Sequence, residues 1–174
     1  MMVEMKVTGL TVDPFSNAPV LLLRDADNTH TLPIWVGILE ASAISSVLEK
    51  FKFSRPMTHD LMVDFLSSMN VRLIKVEVND MRDNVYYATI HMEKGRHSYA
   101  VDARPSDAIA LALRTGAPIF VDEEVLGKSK TIDLRAKEGK TPEERGSHAR
   151  HGSGSNWIEA LEELSPEAFG KYKM

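Results

Sequence analysis

Residues 71–78 (VRLIKVEV) alternate apolar and polar side chains without a break, and residues 85–92 (VYYATIHM) and 97–101 continue the strand pattern. A period of two belongs to strands that bury one face. Turn residues at 80–84 and at Lys94-Gly95 separate these runs, so the three are expected to form an antiparallel meander. A second set of strand signals lies upstream. Val3, Met5 and Val7 alternate with Glu4, Lys6 and Thr8, residues 19–24 (PVLLLR) read as a more fully buried strand, and residues 29–36 (THTLPIWV) as a third. Asp13-Pro14, Ser16-Asn17 and the segment 25–28 supply the turns between them.

Helical spacing takes over elsewhere. Gly37 opens a helix over 38–50, with Leu39, Ala43, Ile44, Val47, Leu48 and Phe51 as its apolar positions and Glu40 in the first turn, where the helix dipole favours acid. A second helix covers 58–69, with Thr58 as N-cap and Leu61, Met62, Phe65, Leu66 and Met69 as the buried stripe. A third, over 108–114, is apolar almost all round and is therefore expected to be buried; Thr115-Gly116 ends it. Pro118–Val121 makes a last short strand, and 122–126 one helical turn before Gly127. Beyond Lys128 the periodicity is lost and Lys, Glu, Gly, Ser and Arg dominate, as in a linker. Asn156-Trp157-Ile158-Glu159 resembles a capping box, and Trp157, Ile158, Leu161 and Leu164 form one apolar face that should dock on the core or on a neighbouring subunit. The expected fold is α+β: a mixed, largely antiparallel sheet with three packed helices and a short C-terminal helix. The expected organisation is a domain over 1–130, a flexible linker over 131–155, and an amphipathic helix with its tail over 156–174.

With 174 residues, 43% of them apolar and 26% charged, the chain can build one sizeable core. The absence of cysteine removes disulfides, thiolate metal sites and cysteine nucleophiles, and suits a reducing cytoplasm. No apolar run approaches the ~20 residues of a membrane span, and residues 1–8 lack the apolar core of a signal peptide. A formal charge of −4 excludes coating nucleic acid by bulk electrostatics. A phosphate-bearing ligand would need a local cluster of Arg and Lys, or a metal on carboxylates.

Two segments gather such groups, each an Arg-Pro step before a helix. Arg55-Pro56-Met57-Thr58-His59-Asp60 places a fixed cation, a hydroxyl, an imidazole and a carboxylate where free helix N–H groups attract anions. Arg55 can grip a phosphate bidentately, His59 can move a proton near neutral pH, and Asp60 can share a cation with Asp64 one turn on. Asp102 to Asp107 repeats the theme: Arg104 precedes Pro105 at the first helical position, Ser106 crowns the helix, and Asp102 and Asp107 could flank a divalent ion. The structural alternatives are Thr58 as cap, Asp60 and Asp107 as dipole-complementing acids, and Arg55 and Arg104 as salt-bridge partners. Trp35 reads as a core residue. His148 and His151 read as solvated, His91 and Glu93 as a surface pair on one strand face, and Gly152-Ser153-Gly154 as spacer. No Walker loop, G-x-S-x-G, H-E-x-x-H or dinucleotide fingerprint is present.

Three stretches carry a family resemblance: Leu32-Pro33-Ile34-Trp35-Val36-Gly37 with Glu40-Ala41; Arg55-Pro56-Met57-Thr58-His59-Asp60-Leu61; and residues 102–112 (DARPSDAIALA). In order and spacing they resemble the bifunctional nuclease family over about residues 3–130. The resemblance implies an α+β fold and activity on both DNA and RNA. Chemistry and the matched motifs together suggest His59, Asp60 and Asp107 as catalytic groups and Arg55, Arg104, Thr58 and Ser106 around a phosphate. They suggest Asp60, Asp102 and Asp107 as ligands of Mg²⁺ or Mn²⁺. A homo-oligomer, most simply a dimer, is expected. The alternatives are a non-catalytic binding or oligomerisation protein and a small-anion sensor using the same pocket.

The loss of apolar period beyond Lys128 makes limited proteolysis informative. The first cuts in the native chain are expected between residues 128 and 155, and equal resistance there and in residues 1–127 would contradict the linker.

Overall fold

The computed structural model describes residues 1–14 and 16–129. The expected linker and C-terminal helix lie outside the described residues. The elements run β1 (Met2–Val12), β2 (Pro19–Asp25), β3 (Thr31–Trp35), α1 (Ile38–Leu48), α2 (Thr58–Ser68), β4 (Arg72–Arg82), β5 (Val85–Lys94), β6 (His97–Ala103), α3 (Pro105–Thr115), β7 (Ile119–Asp122) and α4 (Glu123–Lys128).

The strands form one seven-stranded sheet in the order β3-β2-β1-β7-β4-β5-β6. Both expected meanders are present, β1-β2-β3 and β4-β5-β6, with every pair antiparallel. The short strand β7 joins them, antiparallel to β1 and parallel to β4. A parallel partner cannot be reached by a tight turn, so the chain leaves the β6 edge through α3 before returning to the sheet centre. The sheet is curled: the Tyr86 hydroxyl on β5 donates to the Pro33 carbonyl on β3, 3.2 Å away, although these strands stand far apart in the strand order.

Helix α3 is the centre of the core. Pro105, Ser106, Ala108, Ile109, Ala110, Leu111 and Ala112 are all buried, as its all-round apolar sequence requires. Ala108 to Ala112 share one cluster with Val76 and Val78 of β4, Ala88 and Ile90 of β5, and Ile44 of α1. Gly116 then takes a left-handed φ of 71°, which ends the helix at the expected place.

The other helices depart from the sequence expectation. α1 buries Ala41, Ile44 and Ser45, while Leu39, Leu48 and Phe51 are exposed. α2 buries no residue at all: Leu61, Met62, Phe65 and Met69, expected inside, are exposed. Its half-buried positions, which include His59, Asp60, Val63 and Leu66, face the fold instead. The N-cap of α2 is Met57, not Thr58, and the Asp60 carboxylate accepts the Met57 N–H at 3.0 Å. Trp35 is 48% exposed, with its ring N–H directed at Asp13 Oδ2 3.2 Å away, so it is no core residue. α4 is a full helix running through Gly127. No helix among the described residues is long and apolar enough to cross a membrane.

Leu111 is 1% exposed and Val85 56% exposed. In urea unfolding of the full chain, Leu111→Ala should cost about 2–5 kcal/mol, and Val85→Ala should stay within about 0.5 kcal/mol of wild type.

Candidate active site at two helix N-termini

The starts of α2 and α3 meet. His59, in the first turn of α2, places Nε2 3.1 Å from Oδ1 of Asp107, in the first turn of α3. The two Arg-Pro segments, separated by 48 residues between these groups, therefore converge. Arg104, at the N-cap of α3, grips the same Asp107 through Nε to Oδ2 at 2.7 Å and Nη2 to Oδ1 at 3.2 Å. Its remaining arm, Nη1, donates to Glu40 Oε1 of α1 at 2.8 Å. A continuous chain, Glu40–Arg104–Asp107–His59, thus ties three helices together. Gly37 makes room for it, because a Cβ there would collide with Glu40 Oε2.

The chain fixes the imidazole's proton. Burial pushes the Asp107 carboxyl up, but hydrogen bonds from Arg104 and His59 outweigh that and hold it below the usual carboxylate range. An ionised carboxylate only accepts, so Nε2 of His59 carries the hydrogen and, in the neutral ring, Nδ1 carries the lone pair. The His59 side chain is 12% exposed. It lines a cleft of about 610 Å³ between α1, α2, α3 and β6, together with Thr58, Asp102, Arg104, Asp107 and Arg114.

Arg114, which the sequence reading did not single out, holds this arrangement from the other end of α3. Its side chain is 8% exposed, and Nε donates to Asp60 Oδ1 at 2.6 Å. Nη1 donates to the carbonyls of Ala43 and Ala110, both at 3.0 Å. Burial raises the Asp60 carboxyl, and the hydrogen bonds from Arg114 and the Met57 N–H bring it below its ordinary value. In sequence Arg114 is an ordinary cation in the last turn of a helix. Its partner lies 54 residues away, which spacing cannot reveal.

The remaining candidates are distributed differently. Arg55 does not share the cleft with Arg104. It borders an adjacent depression of about 330 Å³ with Asp60, Asp64 and Arg114, and its side chain has no ion pair among the described residues. Ser106 is buried beside a third depression, near Arg104, Trp35 and Gly37. His91 pairs with Glu77 at 2.7 Å and Glu93 with Arg72 at 3.4 Å.

Asp60 and Asp107, two of the three aspartates expected to hold a divalent ion, are already engaged by arginine. Asp60 uses its oxygens on Arg114 and Met57, and Asp107 on Arg104 and His59. Among the described residues no group of three or more His, Asp or Glu side chains is placed to hold an ion. Carboxylates neutralised by arginine are poor ligands for a hard cation, which needs several free oxygens at once.

The family model of the bifunctional nuclease domain matches residues 21–133. An uncharacterized protein of Mycobacterium tuberculosis (strain H37Rv) is 35% identical over 166 residues, 95% of this chain and 97% of that protein. Bifunctional nuclease 2 of Oryza sativa subsp. japonica is 27% identical over 117 residues, and bifunctional nuclease 1 of Arabidopsis thaliana 28% identical over 109 residues. These matches span 65% and 60% of this chain, but only 36% and 34% of the plant proteins.

Two linked predictions follow from the Arg114 anchor. Arg114→Ala removes the hydrogen bonds that this nearly buried side chain gives to Asp60, Ala43 and Ala110, and should destabilise the chain by about 1–3 kcal/mol. Asp60 and Asp107 titrate lower when folded, so their stabilisation is complete above the unfolded Asp value of about 3.9 and is lost as pH falls below it. Thermal midpoints of wild type and Arg114→Ala should therefore differ by a constant amount above pH ~5, and the gap should narrow below pH ~4 as Asp60 is protonated, leaving the part due to the Ala43 and Ala110 carbonyls. A gap that widens on acidification would contradict this sign.

Proposed function

Because the chain belongs to the bifunctional nuclease domain family, we propose that it hydrolyses phosphodiester bonds of DNA and RNA in the cleft at the N-termini of α2 and α3. The observation that carries this reading is the Glu40–Arg104–Asp107–His59 chain at the cleft wall. His59 Nδ1 takes a proton from the attacking water as the new P–O bond forms. The imidazolium, stabilised by Asp107 at Nε2, then supplies a proton to the leaving oxygen as the old P–O bond breaks. Asp107 and Arg104 act by holding the ring and its tautomer. Accepting both DNA and RNA means that the 2′-hydroxyl is not the required nucleophile, so water is the attacking group.

The N–H groups of Thr58 and His59 at the start of α2, with the Thr58 hydroxyl, receive the scissile phosphate. Arg104 already gives three of its five N–H donors to two carboxylates, so Arg55 of the neighbouring depression, which has no ion pair among the described residues, takes a phosphate further along the strand. The residues present do not fit a preassembled Mg²⁺ or Mn²⁺ site, and no step is assigned to a metal. The nuclease-like domain is taken as residues 1–130, acting in the cytoplasm.

The test is cleavage of single- and double-stranded DNA and RNA by the purified full chain. His59→Ala and Asp107→Asn should each lower the rate by about 10²–10⁴-fold, with folding unchanged by circular dichroism. Activity that survives EDTA fits the proposed chemistry, and a strict need for Mg²⁺ or Mn²⁺ would return the ion to the reaction. Cleavage unaffected by either substitution would overturn the site, and no cleavage of any substrate would favour the binding-protein alternative.

A further inference from the structure

The most unusual surface of the molecule is not the cleft but the wall beside it. The exposed side of α2 carries Leu61, Met62, Phe65 and Met69. Spacings of three and four residues put them on one stripe. Val101 of β6 lines the same cleft as Met62, and Tyr99 lies two residues along the same strand face. Leu39, Phe53 and Met57 continue the apolar surface along the cleft rim. These nine side chains are each between 43% and 60% exposed. At about 200 Å² per large side chain, they leave on the order of 900 Å² of apolar surface open. The largest patch on an ordinary monomer is about 300–600 Å², and a standard interface needs about 800 Å² per partner.

The second observation is the state of the two sheet edges. β3 is five residues long, carries Pro33 in its middle and is tied back by the Tyr86 hydroxyl, which are the features of a protected edge. β6 is seven residues long, His97–Ala103, with no Lys and no Pro, and its first six residues are exposed. Its outer row of N–H and C=O groups has no neighbouring strand among the described residues.

We propose that β6 and the outer stripe of α2 form a two-fold interface with a second copy of this chain, the β6 strands pairing antiparallel into one continuous sheet. A strand paired with itself across a two-fold axis satisfies the free backbone groups of both copies at once. Full overlap of residues 97–103 centres the register on Ala100. Tyr99 then lies opposite Val101 of the partner subunit, an aromatic–β-branched pair of the kind that stabilises sheets. The same axis brings the two α2 stripes into the region above the new strand pair. The interface also supplies the missing wall of the cleft beside Met62 and Val101. The proposal is independent of the nuclease reading.

The experiment is multi-angle light scattering on the full chain at up to about 100 μM, with amide hydrogen exchange on the same samples. Wild type should run at twice the chain mass, with slow exchange throughout β6. Phe65→Glu and Val101→Lys place charge on the two halves of the interface, and each should give the mass of one chain with fast β6 exchange and an unchanged circular dichroism spectrum. Val85→Glu, an exposed apolar position off the patch, should remain a dimer. A wild type that runs as one chain overturns the second copy as the occupant. So does a dimer that survives either charged substitution in folded form, or a dimer whose β6 amides exchange as fast as those of the variants. If one charged variant fails to fold, the other alone decides.

Discussion

Burial of α3 constrains everything around it. Its middle, Ala108 to Ala112, is sealed between the sheet and the other helices, and several of those residues are alanine. Small side chains let neighbouring elements approach closely but leave no space for a charged group. All the polarity of this helix is therefore pushed to its ends: Arg104 and Asp107 at the start, Arg114 at the finish. Each end then becomes an attachment point. The start binds α1 through Glu40 and α2 through His59; the finish binds α1 through the Ala43 carbonyl and α2 through Asp60. α2, which buries none of its own residues, is held largely by these polar links.

That division explains the character of the candidate site. Charges here are consumed by each other, so the cleft holds cations and anions in near balance. Arg104 is a structural cation spending three donors on two carboxylates, and Asp107 is a carboxylate whose worth lies in orienting an imidazole. A group held so firmly costs little to reorganise during a proton transfer. The same saturation makes the carboxylates unsuited to gather a metal ion, even though their spacing in sequence invites that reading.

The weak apolar anchoring of α2 has a counterpart on the outside. Its stripe points away from its own core, next to the one unprotected edge of the sheet. A helix stripe records only that something apolar will cover it; it carries no statement of whether the cover is the same chain or another.

The sequence by itself determined the strands, the three main helices, the buried state of α3 and the α+β class, because periods of 2 and 3.6 are local properties of a chain that must bury one face. It also marked the Arg-Pro segments that lead into α2 and α3, since helix starts need polar side chains and fixed dihedrals. Only the tertiary structure decided what those marks meant. It brought His59 against Asp107 and Arg114 against Asp60, across separations that no local pattern encodes. It left Arg55 in a neighbouring depression and gave Asp60 and Asp107 to different partners. It turned Leu61, Met62, Phe65 and Met69 outward, because the amphipathic period fixes which residues share a face, whereas the direction of that face depends on which neighbours have already filled the core.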